Sequence, residues 1–534
     1  MWIIHATAGN RITLYIYTPY KSQMDPIPFK PTDLTVHYVD EKKLLCYNRS
    51  SMAKTKKTTS KAANTVSKTK SSVSKVGTKK VFRKYETALQ YLFDRTDYER
   101  EKRVRYNVDT FSLDRMRNLL SLLGDPHEKI KTAHIAGTKG KGSTATMLAK
   151  MLEANGYNVG LYTSPHVVNL RERIAVNSEM VSQEELLGLI NRVHAPVEKL
   201  AKTDAPTFFE IMTAMAFLHF LDKKVNIGVI ETGLGGRLDS TNVITPEVVG
   251  ITSLSLDHQQ QLGSDLGSIA REKAGIFKKN VPVVTVQQKP EAMIVLREHA
   301  ATTGSTMVVT GDEIDFSYRF ETSRQHGPHT RICLGTGLSR YDHLRVPMHG
   351  KHQAINCGLA LAMLDVLKAK GYEIDSKKVE LGLEDVKLPG RMEMICSDPR
   401  IMIDAAHNAD SLKAIIHAIG QNIPYDSMVV IFGCNCDKDV DGMLNMLQFG
   451  ADKAIFTRSN SPKAVSPFDL GEKYGEISGK MYQTAASLGE ALRLAKSAVD
   501  REDLILITDS FYLIGQAKIR MEQMGMKPPQ PVTA

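Results

Sequence analysis

A turn rich in glycine and lysine at residues 137–143, Gly-Thr-Lys-Gly-Lys-Gly-Ser, has the residue types that bind an anion. Glycines let backbone N–H groups point inward, the dipole of a following helix favours negative charge, and lysine adds a full positive charge. The spacing departs from the common phosphate loop Gly-x-x-x-x-Gly-Lys-Ser/Thr, because only two residues separate the first two glycines and a third glycine precedes the serine. The turn predicts a site for a nucleotide triphosphate; the alternative is a basic turn without a ligand.

Four further polar clusters follow apolar runs or lie on a predicted helix, at residues 163–166, 231–239, 257–263 and 271–277. Ligand sites in open α/β sheets lie at the carboxyl ends of strands, where such clusters would meet bound phosphates or a metal ion. Each cluster also has a structural interpretation. Glu231 could pair with Arg237, His258 could bond to loop backbone, and Lys273 could be a solvated helix residue.

The elements that would position these residues form an alternating pattern. Helical spacing of apolar residues predicts helices at 85–93, at 113–123 and after the glycine-rich turn. Short apolar runs between helices predict buried strands of a parallel sheet with right-handed crossovers. These runs are 132–136, 158–163, 226–231, 248–252 and 281–286. The stretch 304–349 is β-rich by its turn signals, at residues 311–312 and 335–337.

A second alternation follows the hinge dipeptide Pro389-Gly390. Its predicted strands are 401–405, 428–432, 454–457 and 504–508. Its predicted helices include 409–419 and 488–499. The fold class is therefore α/β, with a mostly parallel central sheet and a smaller α/β part at the C-terminus. We divide the chain into an N-terminal extension (1–84), a central domain (85–386) and a C-terminal domain (387–534).

Composition narrows the class of protein. The 534 residues are 42% hydrophobic and contain no apolar run long enough to span a bilayer, so we expect no membrane association. The six cysteines show no paired Cys-x-x-Cys spacing, which favours a reducing cytoplasm over a disulfide or zinc framework. Residues 1–85 hold 17 Lys/Arg against 4 Asp/Glu, so the rest of the chain nets −3 although the whole carries +10. A mildly acidic globular part argues against a nucleic-acid-binding core.

The basicity belongs to the low-complexity stretch 50–80, which is rich in Lys, Ser and Thr and has no acidic or aromatic residue. Such a composition cannot bury enough apolar surface to fold, and it predicts disorder. Three interpretations remain for it: a dispensable extension, an electrostatic arm for nucleic acid or membrane, and an organellar presequence.

The clusters, taken in order, resemble the folylpolyglutamate synthase/dihydrofolate synthase family of Mur-type ligases. The segments that carry the resemblance are 137–143, 163–166, 208–210, 231–239, 257–258, 273–276, 352–356, 390–393 and 404–408. The resemblance runs from about residue 85 to the C-terminus and implies an ATP-dependent ligase that adds L-glutamate to a folate, or to dihydropteroate, through an acyl phosphate. Such chemistry needs positioning and stabilisation of phosphoryl charge rather than a protein nucleophile. Members of the family are usually monomeric.

The resemblance also implies site residues. Lys141 would contact the β- and γ-phosphates of ATP, and Arg391 would reach the γ-phosphate. Lys273 matches the family's carbamylated lysine. The implied catalytic residues are Lys141, Lys273, Arg391 and His407. The implied ATP-binding residues are Gly137, Thr138, Lys139, Gly140, Lys141, Gly142, Ser143, Thr144, His352, Asn356, Arg391 and Asp404. Two Mg²⁺ ions would be held by Ser164, Glu231, His258 and carbamylated Lys273.

The acceptor end is implied less directly. Phe209 matches an aromatic residue that packs on the folate or pteroate ring, and Asp239 and Ser240 match positions near it; for Phe209 the alternative is ordinary helix core. Ala405, and Asp509 in the segment 509–512, depart from the more usual family residues. Two other functions stay open: a Mur-type ligase for another amino acid and carboxylate, and a nucleotide-dependent DNA-associated protein that uses the basic tail.

Overall fold

The computed structural model describes residues 81–99, 107, 110–323, 327–346 and 348–526, which belong to one compact unit, Val76–Ala534. The stretch 50–80, with its predicted disorder, lies outside the described residues. Val81 and Phe82 both donate backbone N–H groups to Oδ1 of Asn191. Contacts with the folded part therefore begin a few residues before the predicted domain start at Tyr85.

The first part of the fold is an eight-stranded sheet with strand order β4-β3-β2-β5-β1-β6-β7-β8. Its strands are β1 Thr132–Ala136, β2 Val159–Tyr162, β3 Ile174–Val176, β4 Glu179–Met180, β5 Ile227–Glu231, β6 Val248–Ile251, β7 Val283–Val286 and β8 Met307–Thr310. The six strands from β2 to β8 in this order are parallel, while β3 and β4 add an antiparallel edge. Every residue of β1 and β5 is buried, as expected for strands covered on both faces.

Helices cover both faces of this sheet. They are α1 Tyr85–Phe93, α2 Leu113–Leu122, α3 Lys141–Ala154, α4 Gln183–Leu200, α5 Phe208–Asp222, α6 Gln259–Leu262, α7 Leu266–Ala274, α8 Pro290–Thr303, α9 Lys351–Ala369 and α10 Ser376–Glu384. Short 3₁₀ turns lie at Pro126–Lys129, Leu170–Arg173 and Ser240–Val243. Helix α3 packs with α9 and α10 over one face of the sheet, and α2 and α5 pack over the other. Strand β1 lies between β5 and β6 in the sheet, so the glycine-rich turn at its end has a neighbouring strand end on each side.

A three-stranded antiparallel sheet follows β8, in the order β11-β10-β9. Its strands are β9 Asp315–Ser323, β10 Gly327–Gly335 and β11 Arg340–Val346. Ile332, Leu344 and Val346 bury their side chains in the core that α9 shares with the large sheet. The predicted β-rich stretch is therefore confirmed.

The C-terminal part is a six-stranded sheet with strand order β12-β13-β17-β14-β15-β16. Its elements are β12 Glu393–Ser397, β13 Arg400–Asp404, α11 Ala409–Asn422, β14 Met428–Phe432, α12 Val440–Leu447, β15 Lys453–Phe456, α13 Pro467–Ser478, β16 Tyr482–Thr484, α14 Leu488–Lys496, β17 Leu504–Thr508 and α15 Phe511–Gln523. All strands are parallel except β12, which pairs antiparallel with β13. The predicted α/β class is confirmed, while β3, β4, β12 and β16 were not predicted.

None of the helices in the described part of the chain combines the length and apolar character that a membrane span needs.

Candidate active site

The carboxyl ends of β1 and β5 open into a cavity of about 410 Å³ that the six-stranded part also lines. The cavity brings together nearly all of the site residues predicted from the sequence. They are Gly137, Thr138, Lys139, Gly140, Lys141, Gly142, Ser143, Ser164, Phe209, Glu231, Asp239, Ser240, His258, Lys273, His352, Asn356, Arg391, Asp404 and His407. Thr144 does not line it: this residue is fully buried, and its hydroxyl donates to the carbonyl of Asn356 at 3.4 Å.

The glycines of the turn after β1 are required by its surroundings. Gly137 has φ +152°, and a Cβ there would lie 1.7 Å from the hydroxyl oxygen of Thr252. Gly140 has φ +87°, and a Cβ there would lie 2.1 Å from the amide oxygen of Asn356. The backbone N–H groups of Thr138 and Lys139 donate to a carbonyl after β6, at 3.2 Å each, and fix the turn in place. Only glycine fits at both positions.

Helix α3 begins at Lys141 without a side-chain cap, because Gly140 occupies the cap position. The N–H groups of Lys141, Gly142 and Ser143 have no protein acceptor among the described residues. Uncapped N–H groups at the positive end of a 14-residue helix, beside two lysines, form an anion site. The geometry of the turn is thus consistent with the predicted anion site.

Glu231 ends β5 and places a buried carboxylate beside this turn. Its Oε2 accepts the backbone N–H of Ser164 at 3.0 Å, and its Oε1 lies 4.0 Å from Nζ of Lys141. Burial raises the pKa of Glu231, while the charge of Lys141 opposes that rise. The alternative interpretation was an ion pair between Glu231 and Arg237. Arg237 instead forms its ion pair with Glu272.

Lys273 lies in the last turn of α7 and is only 4% exposed. Its ammonium has no hydrogen-bond or ion-pair partner among the described residues. Burial and the nearby charge of Lys141 lower the pKa of Lys273 to about 7. The 231–239 loop packs closely there, since a Cβ at Gly236 would lie 3.0 Å from Cα of Lys273. Lys273 is therefore a buried amine that lines the cavity rather than a solvated helix residue.

Contacts between the two sheets enclose the cavity from the opposite side. Asp257, after β6, accepts a hydrogen bond from Nζ of Lys438 at 3.0 Å, and its Oδ2 lies 3.5 Å from Nε2 of His407. Nζ of Lys139 lies 3.1 Å from Oδ2 of Asp410. Although burial raises it, the neighbouring His407 and Lys438 hold the pKa of Asp257 well below its usual range. The charges of the C-terminal wall are thus paired with charges of the first sheet.

Arg391 and Asp404 lie next to these contacts. The guanidinium carbon of Arg391 lies 4.9 Å from the ring centroid of Phe511, and Oδ2 of Asp404 accepts the N–H of Met392 at 2.9 Å. Burial raises the pKa of Asp404, which the charge of Arg391 opposes. His407 is held by its Nδ1, 2.9 Å from the carbonyl oxygen of Ala405. All three side chains point from the second sheet into the shared cavity.

The end of the cavity that Phe209 lines is shaped by the loop after Glu231. Phe209 is half-buried at the start of α5, and a Cβ at Gly233 would lie 2.5 Å from its ring. Oδ2 of Asp239 accepts the N–H groups of Gly233 and Leu234, both at 2.9 Å. Its Oδ1 accepts the N–H and hydroxyl of Thr241 at 3.0 and 2.5 Å. Asp239 therefore holds the loop, whereas the ring of Phe209 faces the cavity.

Sequence reasoning missed several residues that line the same end of the cavity. Tyr98, Phe111 and Arg115 are among them. Arg115 is buried and donates from Nε to both carboxylate oxygens of Glu210, at 3.0 and 2.8 Å. These residues precede the glycine-rich turn and belong to no short motif, so helical periodicity around 113–122 was the only signal there. The capping box between Thr207 and Glu210 is a local sequence signal for the position of α5.

No group of three or more His, Cys, Asp and Glu side chains in the described part of the chain is arranged to hold a metal ion. Glu231 lies beside the start of α3, where a Cβ at Gly142 would lie 3.3 Å from its Oε2, and Ser164 is its neighbour. A site of one carboxylate and one hydroxyl suits Mg²⁺ that takes its other ligands from phosphates and water.

Two family models match the chain at these two parts of the fold. The Mur ligase middle domain matches residues 135–364, and the Mur ligase, glutamate ligase domain matches residues 390–511. The fold and the cavity between its two sheets thus define a Mur-type ligase.

Individual relatives give a finer assignment. The chain is 34% identical over 425 residues to the dihydrofolate synthase/folylpolyglutamate synthase of Bacillus subtilis, covering 79% of this chain and 97% of that protein. It superposes on Mycobacterium tuberculosis folylpolyglutamate synthase complexed with ADP with a TM-score of 0.75 at 31% identity, covering 83% of this chain and 99% of that one. A folylpolyglutamate synthase structure with AMPPCP and folate gives a TM-score of 0.71 at 30% identity, covering 82% and 99%.

The chain belongs to the folylpolyglutamate synthase/dihydrofolate synthase family of Mur ligases. It is therefore an enzyme of the class of ATP-dependent acid–amino-acid ligases. The family predicted from the sequence is confirmed.

Proposed function

We propose that the chain adds L-glutamate to a tetrahydrofolate or its polyglutamates, and that ATP and glutamate meet the folate in the cavity between the two sheets. One observation carries this proposal. An uncapped helix N-terminus, a buried carboxylate and a buried unpaired lysine face the same cavity that Phe209 lines from the acceptor side. A nucleotide and an aromatic acceptor would therefore lie end to end.

The chemistry follows from the need to activate a carboxylate. An oxygen of the folate carboxylate attacks the γ-phosphorus of ATP, the bond to the β–γ bridging oxygen breaks, and ADP leaves. The neutral amine of glutamate then attacks the acyl carbon, and the C–O bond to phosphate breaks. The products are the amide, inorganic phosphate and one proton. No protein nucleophile is required, so binding geometry and electrostatics carry the catalysis.

The described residues provide the positive charge that phosphoryl transfer needs. The N–H groups at the start of α3 and the ammonium of Lys141 would hold the β- and γ-phosphates, and Arg391 would approach from the second sheet. His352 and Asn356, at the start of α9, would lie beside the rest of the nucleotide with Asp404. Thr144 would support the site by its bond to Asn356 and would not touch ATP itself.

Mg²⁺ would be held by the carboxylate of Glu231 and the hydroxyl of Ser164, with phosphate oxygens as further ligands. When bound, the ion would neutralise charge on the transferring phosphoryl group. His258 lies in the same cavity as a further candidate ligand for a second ion. Its side chain is exposed to the cavity, so it is open to a ligand.

The burial and the lowered pKa of Lys273 support the proposal that its amine becomes a carbamate. The neutral amine adds to CO₂, a C–N bond forms, and one proton leaves the nitrogen. A pKa near 7 keeps a large neutral fraction available for this reaction. The product is an oxygen anion, which would replace a cation that is otherwise buried without a partner beside Lys141.

A second activity, joining glutamate to dihydropteroate, is proposed as an extension of the first. Both reactions use the same two co-substrates and differ in which carboxylate reaches the γ-phosphate. The Bacillus subtilis relative carries both names. Phe209 would pack on the ring system of either acceptor, with Asp239 and Ser240 shaping that wall.

One assay tests the proposed function. ADP release is measured with L-glutamate and either tetrahydrofolate or dihydropteroate, with D-glutamate and L-aspartate as matched controls. We expect ADP release that depends on both the acceptor and L-glutamate. Activity with neither acceptor, or with another amino acid only, would favour a Mur-type ligase for a different pair of substrates.

Location, oligomeric state and tail function complete the proposal. A cytoplasmic location is proposed because the described cysteines are all free and scattered. A monomer is proposed because members of the family are usually monomeric. The basic tail is proposed to be dispensable for catalysis. Electrophoretic mobility shift of the full chain and of a form without residues 1–80 separates this from DNA binding, which would be sensitive to salt.

A further inference from the structure

Buried beneath the acceptor side of the cavity is a histidine that none of the proposed roles uses. His134 lies in the middle of β1, opposite Ile230 of β5 and Val249 of β6, and its side chain is fully buried. Its Nε2 lies 2.8 Å from the hydroxyl oxygen of Thr241. A polar ring buried in a central strand loses its hydrogen bonds to water, which costs free energy. Hydrogen bonds within the protein must compensate for that cost.

The donors and acceptors of this contact have one consistent arrangement. The Thr241 hydroxyl has a single hydrogen, which it donates to Oδ1 of Asp239 at 2.5 Å. It can therefore only accept from His134, and the imidazole must carry its hydrogen on Nε2. Nδ1 is then a bare acceptor, and it is indeed buried without a partner among the described residues. Burial, together with Lys278, lowers the pKa of His134 to about 3, so the ring stays neutral.

Asp239 connects the Thr241 hydroxyl to the loop that shapes the cavity. Its other oxygen accepts the N–H groups of Gly233 and Leu234, two and three residues after Glu231. Phe209 packs on Gly233, where even a Cβ would lie 2.5 Å from its ring. A change in the angle of the Asp239 carboxylate would move Gly233 and hence the ring of Phe209.

We infer that His134 is a positioning residue for the folate acceptor, which acts through Thr241 and Asp239 to fix the loop from Glu231 to Asp239. The inference rests on the proposed function only in naming a folate as the acceptor. It assigns Asp239 a structural role in the loop, since four protein donors already satisfy its carboxylate. The nucleotide side should be little affected, because the turn after β1 is fixed by separate bonds to the carbonyl of Ser253.

A double-mutant cycle tests the relay. In His134→Leu and in Thr241→Val we expect the KM for folate to rise about tenfold, with the KM for ATP changed less than about twofold. The KM of the double variant for folate should resemble that of either single variant, because substitutions in one hydrogen-bonded chain do not have additive effects. His134→Gln, which restores an N–H donor, and Thr241→Ser, which keeps the hydroxyl, should recover most of the loss.

Val249→Ala is the matched control, since it removes buried volume directly beside His134 without touching the relay. It should lower the Tm without a selective change in the KM for folate. Additive effects, equal rises in both KM values, or failure of His134→Gln to improve on His134→Leu would overturn the inference. Should His134→Leu not fold, Thr241→Val and Thr241→Ser carry the same test.

Hydrogen–deuterium exchange separates this inference from the proposed function, because it requires no substrate. The amides of residues 231–239 should exchange faster in Thr241→Val than in the wild type, while those of 137–154 stay unchanged. Unchanged exchange at 231–239 would refute the relay even if the wild-type enzyme proves active on folates. Faster exchange at 231–239 in Thr241→Val, together with a wild-type enzyme that is inactive on folates, would leave the relay standing and overturn only the acceptor assignment.

Discussion

The two walls of the cavity treat charge differently. On the wall from the eight-stranded sheet, Lys273 has no hydrogen-bond or ion-pair partner among the described residues, and Nζ of Lys141 lies 4.0 Å from Oε1 of Glu231. On the wall from the six-stranded sheet, His407 and Lys438 reach across to Asp257. Lys141 and Lys273 of the first wall thus keep their charge available for a ligand, whereas His407 and Lys438 of the second wall use theirs to hold the walls together.

This difference indicates a division of labour. Uncompensated buried charge is costly, and a fold keeps it where a ligand or a modification completes it. Cross-wall pairs, in contrast, join the two sheets, and under the proposed function they would set how closely Arg391 and the amino acid approach the phosphates. We therefore expect loss of an unpaired cation on the first wall to stop the chemistry, and loss of a pair between the walls to slow it.

The largest effect is expected for Lys141→Ala. Removing a cation from the transferring phosphate should lower kcat about 100- to 1,000-fold, as is typical for loss of one group that stabilises transition-state charge. ADP release under saturating substrates measures it. Lys150→Ala is the matched control in the same helix: its ion pair with Asp385 is peripheral, so activity should be retained. Equal losses in both variants would mean that α3 is merely sensitive to substitution.

Next in size is Lys273→Ala, for which we expect about a 100-fold loss of turnover. Short carboxylic acids added to the assay should restore part of the activity, since they replace the oxygen ligand of the carbamate. The exposed neighbour Lys279, changed to Ala, serves as the control and should behave as wild type. Full activity of Lys273→Ala would remove this residue from the site.

A smaller effect concerns pH and CO₂. A pKa of about 7 for Lys273 means that the neutral amine fraction rises about tenfold from pH 6 to pH 8. At fixed dissolved CO₂, reactivation of CO₂-depleted enzyme should therefore be faster at pH 8 than at pH 6. Reactivation that is independent of pH, or faster in acid, would contradict the carbamate.

The smallest effect is expected for Asp257→Asn, which weakens the contacts from His407 and Lys438. We expect kcat/KM to fall about fivefold to tenfold, and the Tm to fall as well, because Asp257 is buried and its loss leaves the charge of Lys438 without its partner. Asp312→Asn, an exposed carboxylate far from the cavity, is the control. A loss as large as that of Lys141→Ala would erase the proposed difference between the two walls.

Much of the first wall could be predicted from the sequence because its signals are local. The glycine-rich turn, the strand before it and the helix after it lie within about 20 consecutive residues, and Glu231 ends a recognisable apolar run. Glycine spacing reports backbone conformation directly, as the positive φ at Gly137 and Gly140 shows. Matching this pattern needs no knowledge of the rest of the chain.

The second wall and the acceptor end depend on distant parts of the chain. Asp257 meets Lys438 across 181 residues, and Arg115 meets Glu210 across 95. No periodicity or spacing reports such a pair, because it arises only once two sheets or two helices have packed. For the same reason the relay from His134 to Asp239 was not predicted, since β1 shows only as an apolar run in sequence.

Transfer of isotope tests the central claim that a carboxylate is activated by phosphoryl transfer in this cavity. A tetrahydrofolate labelled with ¹⁸O in its terminal carboxylate is turned over with ATP and L-glutamate, and the released phosphate is analysed by mass spectrometry. Each phosphate should carry one ¹⁸O atom, passed on from the acyl phosphate. Unlabelled phosphate, or release of AMP and pyrophosphate, would contradict the account.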